Sequence, residues 1–276
     1  MKSLSTSNVN SNQWGKLRQF TSARIALGRA GSSLPTHELL KFQLEHAQAR
    51  DAVHLSLDTH KTYRDLRENL LTYNHNLFMV EPALLVQSKA VDRQQYLQRP
   101  DLGRVLNESS ETQLKRNSGY YDLAICVVDG LSSLAVTANV GAFLESLLPK
   151  ISHLNLAPLV VAKQGRVALG DHIAQSLGAK SVLLLIGERP GLLSPDSLGV
   201  YLTYGPFVGT NDAMRNCISN IRIGGLTYSD AAIKAQYLIN ESIRLGFSGV
   251  DLKERVAGEE SMLCESVNFL INVEPT

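Results

Sequence analysis

The chain has little of what marks the specialised protein classes. Of 276 residues only 3 are cysteine (Cys126, Cys217 and Cys264), widely separated and with no C-x-x-C pair. This spacing supports neither a disulfide framework nor a structural zinc site and suits a reducing compartment. No charge sign dominates: 27 Lys and Arg stand against 26 Asp and Glu, a formal net charge of +1. A dedicated nucleic-acid binder would carry a basic stripe, and that class is set aside. Apolar runs reach only about five to nine residues, against the roughly twenty that span a bilayer. The start, Met1-Lys-Ser-Leu-Ser-Thr-Ser-Asn-Val-Asn10, has no apolar core for a secretory signal. The composition is that of a soluble intracellular globular protein, long enough to bury a substantial core.

Familiar site motifs are missing as well. Gly178-Ala-Lys180-Ser181 holds the lysine–serine pair of a phosphate loop, but it runs from helix into strand. A phosphate loop needs the reverse order, so that helix N–H groups face the anion. No G-x-G-x-x-G follows the strand that ends at Asp129; the next residues are Gly130-Leu-Ser-Ser. Asp129-Gly-Leu-Ser132-Ser133 does not meet G-x-S-x-G, and Ser132 or Ser133 reads better as a helix cap. Asp129, at a strand's carboxyl end, is kept as a candidate for touching a ligand or partner. The 7 histidines never fall at the i, i+4 spacing of a helical metal pair.

What is present divides the chain into three segments. Residues 1–20, rich in Ser and Asn with isolated Trp14, Leu17 and Phe20, read as a flexible N-terminal tail. Residues 21–115 read as a mostly helical, partner-docking region. There Ser33 would cap a helix with Pro35 in its first turn. Leu39, Leu40, Leu44, Ala47 and Val53 would form its apolar face, and Glu38, Lys41, Glu45, Gln48, Arg50 and Asp51 its polar face. Residues 116–276 read as a Rossmann-like α/β domain. Strands are predicted at Asp122–Asp129, Ala157–Ala162, Ser181–Ile186 and Leu198–Tyr204, and helices at 132–148, 169–177, 211–220 and 230–245. Strands alternating with helices of this length imply βαβ units and a parallel sheet, an α/β fold class.

The most informative local feature is a strand that runs into a glycine–proline corner, Ser181-Val-Leu-Leu-Leu-Ile186 followed by Gly187-Glu-Arg-Pro-Gly191. A continuously apolar strand is buried on both faces, and ligands of α/β sheets lie just beyond the carboxyl ends of such strands. Proline and glycine fix the corner, so Glu188 and Arg189 are held where a bound molecule would sit. Cys217, placed early in the predicted 211–220 helix, would have its thiol activated by the helix dipole, although a structural cysteine is the default.

Six segments occur in a fixed order: Ala26-Leu-Gly-Arg-Ala-Gly-Ser-Ser-Leu-Pro35, Phe42-Gln-Leu-Glu-His-Ala-Gln-Ala-Arg-Asp-Ala-Val-His54, Asp129-Gly-Leu-Ser132, Gly165-Arg-Val-Ala168, Gly187-Glu-Arg-Pro-Gly-Leu192 and Cys217-Ile-Ser-Asn-Ile221. Together they resemble the small (light) subunit of ethanolamine ammonia-lyase, from about residue 22 to the end. The resemblance implies a hetero-oligomer with a large TIM-barrel subunit, and adenosylcobalamin held between the two. It implies radical conversion of ethanolamine to acetaldehyde and ammonia, with the substrate and its catalytic residues in the large subunit. The cofactor-binding positions it implies are Val167, Glu188 and Cys217, with no catalytic or metal-ligating residue here and no activity from the chain alone. Asp171-His172 lacks the spacing of D-x-H-x-x-G, so the cofactor is expected base-on, keeping its own dimethylbenzimidazole. The same family suggests a bacterial microcompartment, with the tail as a candidate encapsulation segment. The competing readings are a self-sufficient Rossmann-like enzyme using a nucleotide or a Cys217 nucleophile, and a non-catalytic scaffold.

Overall fold

The computed structural model of the chain describes residues 9–10, 12–21, 23–80 and 82–252, so Cys264 and the first eight positions of the tail lie outside the described residues. In chain order, a 3-10 helix over Gln13–Gln19 precedes α1 (Thr36–His54), α2 (Thr59–Leu70), β1 (Leu84–Gln87), α3 (Arg93–Gln98) and α4 (Glu108–Lys115). Then come β2 (Tyr121–Val128), α5 (Ser133–Leu147), β3 (Val160–Lys163), α6 (Leu169–Leu177), β4 (Ala179–Gly187), β5 (Leu198–Tyr204), β6 (Arg215–Ile221) and α7 (Tyr228–Leu245). The strands form one six-stranded sheet in the order β1-β3-β2-β4-β5-β6.

The expected α/β class holds, and the sheet is mostly parallel. β1, β3, β2 and β4 run parallel, whereas β5 and β6 are antiparallel to their neighbours. The connection from Gly187 to Leu198 contains no helix, and without a crossover element the returning strand can only pair antiparallel. The side chains of β2 alternate between two cores. Leu123, Ile125 and Val127 pack with α5 and α7 on one face, and Ala124, Cys126 and Val128 with α6 on the other. Ser132 caps α5 by accepting the N–H of Ala135, as its sequence position suggests. Among the described residues Ser133–Ile151 is apolar enough for its length to span a bilayer. Here it is a core helix, through Val136, Val140, Phe143, Leu144 and Leu147.

Four sequence expectations fail. The predicted 211–220 helix is a 3-10 turn, Asp212–Met214, followed by edge strand β6. Ile218 and Ile221 are the apolar anchors of this strand and enter the core shared with α7. The segment read as helical and irregular contains β1, which pairs with β3. A four-residue apolar strand cannot be told from a piece of helix by periodicity. Ser33 does not cap α1: Pro35 is the cap residue and makes no side-chain cap bond. Finally, the first half of α1 departs from the expected amphipathic pattern, although Lys41, Gln48, Arg50 and Asp51 stay exposed as expected. Glu38 is 2% exposed and Glu45 is buried, while Leu40 and Leu44 are each 59% exposed.

The burial of these two glutamates has an electrostatic cause. Arg18 of the N-terminal 3-10 helix pairs with Glu38 at 3.0 Å, and Arg24 pairs with Glu45 at 2.7 Å. The two guanidiniums hold Glu38 and Glu45 inward, and within the segment read as a flexible tail the 3-10 helix Gln13–Gln19 is tied to α1 through Arg18. Burial pushes the Glu38 carboxyl up, but the hydrogen bond and charge of Arg18 outweigh it and leave its pKa lowered. A carboxylate with a depressed folded-state pKa contributes stability that is lost as pH falls through that value. Trp14, the chain's 1 tryptophan, lies on the docked turn. Its fluorescence anisotropy is expected to hold at neutral pH and to drop below the ordinary carboxylate range, about pH 4. Glu38→Gln should show the low anisotropy already at neutral pH; unchanged anisotropy in both cases would show that the pair does not hold the turn.

Candidate functional site

The chain leaves β2 toward α5 on one face and β3 toward α6 on the other. The carboxyl ends of these neighbouring strands therefore open a crevice at a topological switch point. Asp129 and Gly130 form one wall, and Gln164 to Val167 the other. The crevice is plugged by Arg93 of α3, whose Nη1 donates to Gly130 O at 2.8 Å and Asp129 Oδ2 at 3.3 Å, and whose Nε donates to Val53 O at 2.7 Å. The Asp129 carboxylate also accepts the N–H groups of Gln164 (2.9 Å) and Gly165 (3.1 Å). Burial pushes the Asp129 carboxyl up against these three stabilising contacts. Asp129, kept as a ligand candidate, is thus a positioning residue that shapes the β3–α6 turn.

That turn presents Val167. Gln164 sits at φ 57° and, in the next position, a Cβ on Gly165 would lie 2.4 Å from Val128 Cγ1. Only glycine lets the turn pass this close to β2. Tyr96 fastens it by donating its hydroxyl to Gly165 O at 3.0 Å, and the Arg166 guanidinium lies 4.3 Å from the centre of the Tyr96 ring. Burial, the largest influence, raises the pKa of the Tyr96 phenol, keeping it the donor this bond requires.

Val167 and Cys217 line one cavity of about 370 Å³, together with Tyr201, Arg104, Arg166 and Arg215. Cys217 is exposed on β6, directly opposite Tyr201 on β5. Its thiol lies 3.2 Å from Ser219 Oγ. A strand, not a helix start, carries it, so the expected dipole activation is absent. Glu188 does not line this cavity. It lies past the end of β4, where its Oε2 accepts bonds from Ser197 Oγ at 2.5 Å and Asn220 N–H at 3.3 Å. Its Oε1 accepts no hydrogen bond among the described residues and lies 2.9 Å from where a Cβ of Gly199 would stand. Gly199 and Tyr201 share a face of β5, so the bare glycine makes room for Glu188 beside the tyrosine. Burial, then the Cys217 thiol, pushes the Tyr201 hydroxyl up.

The floor is a buried ion pair. Arg215 Nη1 meets Asp171 Oδ1 at 2.5 Å, Nη2 donates to Thr210 O at 2.8 Å, and Nε to Asp212 Oδ1 at 3.0 Å. His172 is engaged elsewhere, its Nδ1 accepting the N–H of Leu106 at 3.2 Å. Tyr201, Arg104, Arg166 and Arg215 escape sequence reasoning. Arg215 precedes Cys217 by two and would share its face on a strand, a signal lost by reading the segment as helix.

A family model described as ethanolamine ammonia-lyase light chain matches residues 11–253. Among curated proteins, the ethanolamine ammonia-lyase small subunit of Pseudomonas fluorescens (strain Pf0-1) is 48% identical over 274 residues, covering 96% of each chain. That of Pseudomonas putida (strain W619) is 51% identical over 270 residues, covering 94% of this chain and 96% of its own. That of Xanthomonas campestris pv. campestris (strain ATCC 33913) is 50% identical over 247 residues, covering 87% of each.

Proposed function

The chain belongs to the ethanolamine ammonia-lyase light-chain family, and from that premise we propose that it is the cofactor-holding small subunit of an adenosylcobalamin-dependent ethanolamine ammonia-lyase. The observation that carries the reading is the convergence of Val167 and Cys217 on one open cavity, with Glu188 on the adjoining sheet end. Its partner is a large barrel subunit that contributes the substrate pocket, and the assembly works in the cytoplasm inside a bacterial microcompartment.

The residues fit a large, flat, amide-fringed ligand. Val167 offers an apolar surface, Gly199 leaves the room that Glu188 occupies, and Glu188 keeps one carboxylate oxygen free to accept a hydrogen bond from an amide. Arg166 Nε is buried without a hydrogen-bond partner, a donor that a ligand could satisfy. When bound, the cofactor supplies the radical that abstracts a substrate hydrogen on the way to acetaldehyde and ammonia. The chain's own residues do different work. Val167 and Tyr201 wall off water, Glu188 fixes orientation, and the Asp171–Arg215 pair holds the floor rigid. The cofactor binds base-on, with no cobalt ligand from this chain.

Reconstitution tests the reading. The purified chain is expected to turn over no ethanolamine, and acetaldehyde should form once the large subunit and adenosylcobalamin are added. With nitrogen-15-labelled protein, the EPR spectrum of the cob(II)alamin state should show no hyperfine splitting from a protein nitrogen. Turnover by the chain alone would overturn the proposal, as would full activity of a complex carrying bulky replacements at Val167, Glu188 and Cys217 together.

A further inference from the structure

We propose that the groove running from Arg166 past Arg104 to Val208 is a phosphate site, and that it takes the phosphodiester of the cofactor's nucleotide arm. The inference rests on the cobalamin reading and deepens it. The cavity that holds Val167 is joined by a second, of about 340 Å³, which shares Arg104, Ala168 and Asp212 with it and extends to Val208, Thr210 and Asn211. The two form one channel through these shared residues, and an arm leaving a ring seated at Val167 would run into its second half.

The charge in this channel is arranged for an anion. Arg104, Arg166, Arg215 and Asp212 line the channel, and Asp171 lies buried behind Arg215, which bonds both carboxylates. Three guanidiniums against two carboxylates leave a formal charge of +1, and Arg104 and Arg166 are the cations with no carboxylate partner among the described residues. Arg104 is exposed and makes no side-chain hydrogen bond or ion pair among the described residues. Arg166 is half-buried, and its only side-chain hydrogen bond among the described residues runs from Nη2 to Tyr96 O at 3.3 Å. Its Nε has been taken out of water and given nothing in return, a desolvation cost that a charged acceptor would offset.

Arg166 is also held in place, beside the backbone that carries Arg104. Arg166 N–H donates to Gly103 O at 2.8 Å, tying the β3–α6 turn to the residue before Arg104. A Cβ on Gly103 would stand 2.9 Å from Arg166 Cγ and 3.1 Å from the Tyr96 ring, so glycine lets the two segments meet. Arg166 is further stacked on Tyr96. Ala168, just before the first turn of α6, lines both cavities and adds the partial positive charge of the helix start. A fixed guanidinium beside a free one is the arrangement that recognises a phosphate ester.

The test compares two cofactors in the assembled complex with the large subunit. Adenosylcobinamide keeps the corrin and lacks the nucleotide arm. By absorbance titration, the unaltered complex should bind adenosylcobalamin more tightly than adenosylcobinamide. The R104A/R166Q double variant should lose about tenfold to a hundredfold in adenosylcobalamin affinity, with adenosylcobinamide unchanged. Arg104→Ala alone gives up no side-chain hydrogen bond or ion pair among the described residues, so it separates the effect from misfolding and should lose part of the same preference. Equal weakening of both ligands, or of neither, overturns the phosphate site and leaves the cobalamin reading standing. If the unaltered complex binds neither cofactor, the cobalamin reading falls, and α-ribazole 3′-phosphate decides the groove by NMR titration. Saturable binding that the double variant abolishes would sustain the site for a phosphate ester of another origin; no binding would overturn it.

Discussion

Replacing Arg215 by methionine is expected to destabilise the chain by about 3–5 kcal/mol, because it leaves the Asp171 carboxylate buried without its cation. The two side chains are 3% and 1% exposed, and Asp171 Oδ2 already lacks a hydrogen-bond partner. Against a total stability of about 5–15 kcal/mol for a typical domain, the loss is large enough to shift a urea midpoint by eye. The double variant R215M/D171L should recover most of it, since a buried pair replaced by apolar groups is often neutral. The variants also separate by pH. Burial pushes the Asp171 carboxyl up, and Arg215 pulls it back down. Without Arg215 the carboxyl rises further. A carboxyl raised in the folded state contributes stability at pH below its unfolded value and loses it as pH climbs through the folded one. Arg215→Met should therefore be least impaired in acid and worst near neutrality, while R215M/D171L shows no such slope. A loss under about 1 kcal/mol in the single variant would mean that water reaches Asp171 and the pair is not the floor described here.

The consequence for function is local. Arg215 Nη2 holds Thr210 O and its Nε holds Asp212, so the same substitution frees the loop that forms one wall of the cavity. Stability and ligand binding should fall together in Arg215→Met and be partly uncoupled in the double variant, which restores the core without restoring the loop's anchor.

How much of this was legible in the sequence depends on where the determining forces lie. The central strands, helices α5 and α6 and the corner at Gly187 are written in local signals: runs of Val, Leu and Ile, a serine cap, a glycine after Leu177. The corner and the Gly165-Arg-Val-Ala168 turn could be placed at strand ends from pattern alone. What failed was set by partners distant in sequence. β6 is a strand because β5 offers it an edge, and its own Asn-Cys-Ile-Ser-Asn stretch has little preference. In α1, Glu38 and Glu45 are buried ahead of Leu40 and Leu44 because Arg18 and Arg24, outside the helix, reach those two acids. The ordered blocks identify the family, but of the groove's arginines only Arg166 falls in one of them, and there it drew no role of its own. Their pairing depends on Gly103 and Gly165 bringing two loops together, a coincidence visible only in three dimensions.

Filling the cavity at Val167 should produce the second large effect. Val167→Trp places an indole in the space of about 370 Å³ that, on the proposed function, the corrin edge needs. Overpacking of a contact costs about 1–3 kcal/mol, so the complex should bind adenosylcobalamin roughly a hundredfold more weakly at the upper end of that range. The chain itself should stay folded, because Val167 is half-buried at the cavity mouth and an added ring has solvent to turn into. Val167→Ala removes only two half-buried methyl groups and should cost about fivefold or less. The discriminating feature is the behaviour of adenosylcobinamide. A wall against the ring must reject both cofactors equally, whereas the arginine groove responds only to the one with a nucleotide arm. Equal loss at Val167 and selective loss at Arg104 and Arg166 would fix which end of the ligand lies at each end of the channel. Undiminished binding of both cofactors by Val167→Trp, in a complex shown to be assembled by gel filtration, would remove Val167 from the cofactor wall and leave the cavity without its assigned occupant.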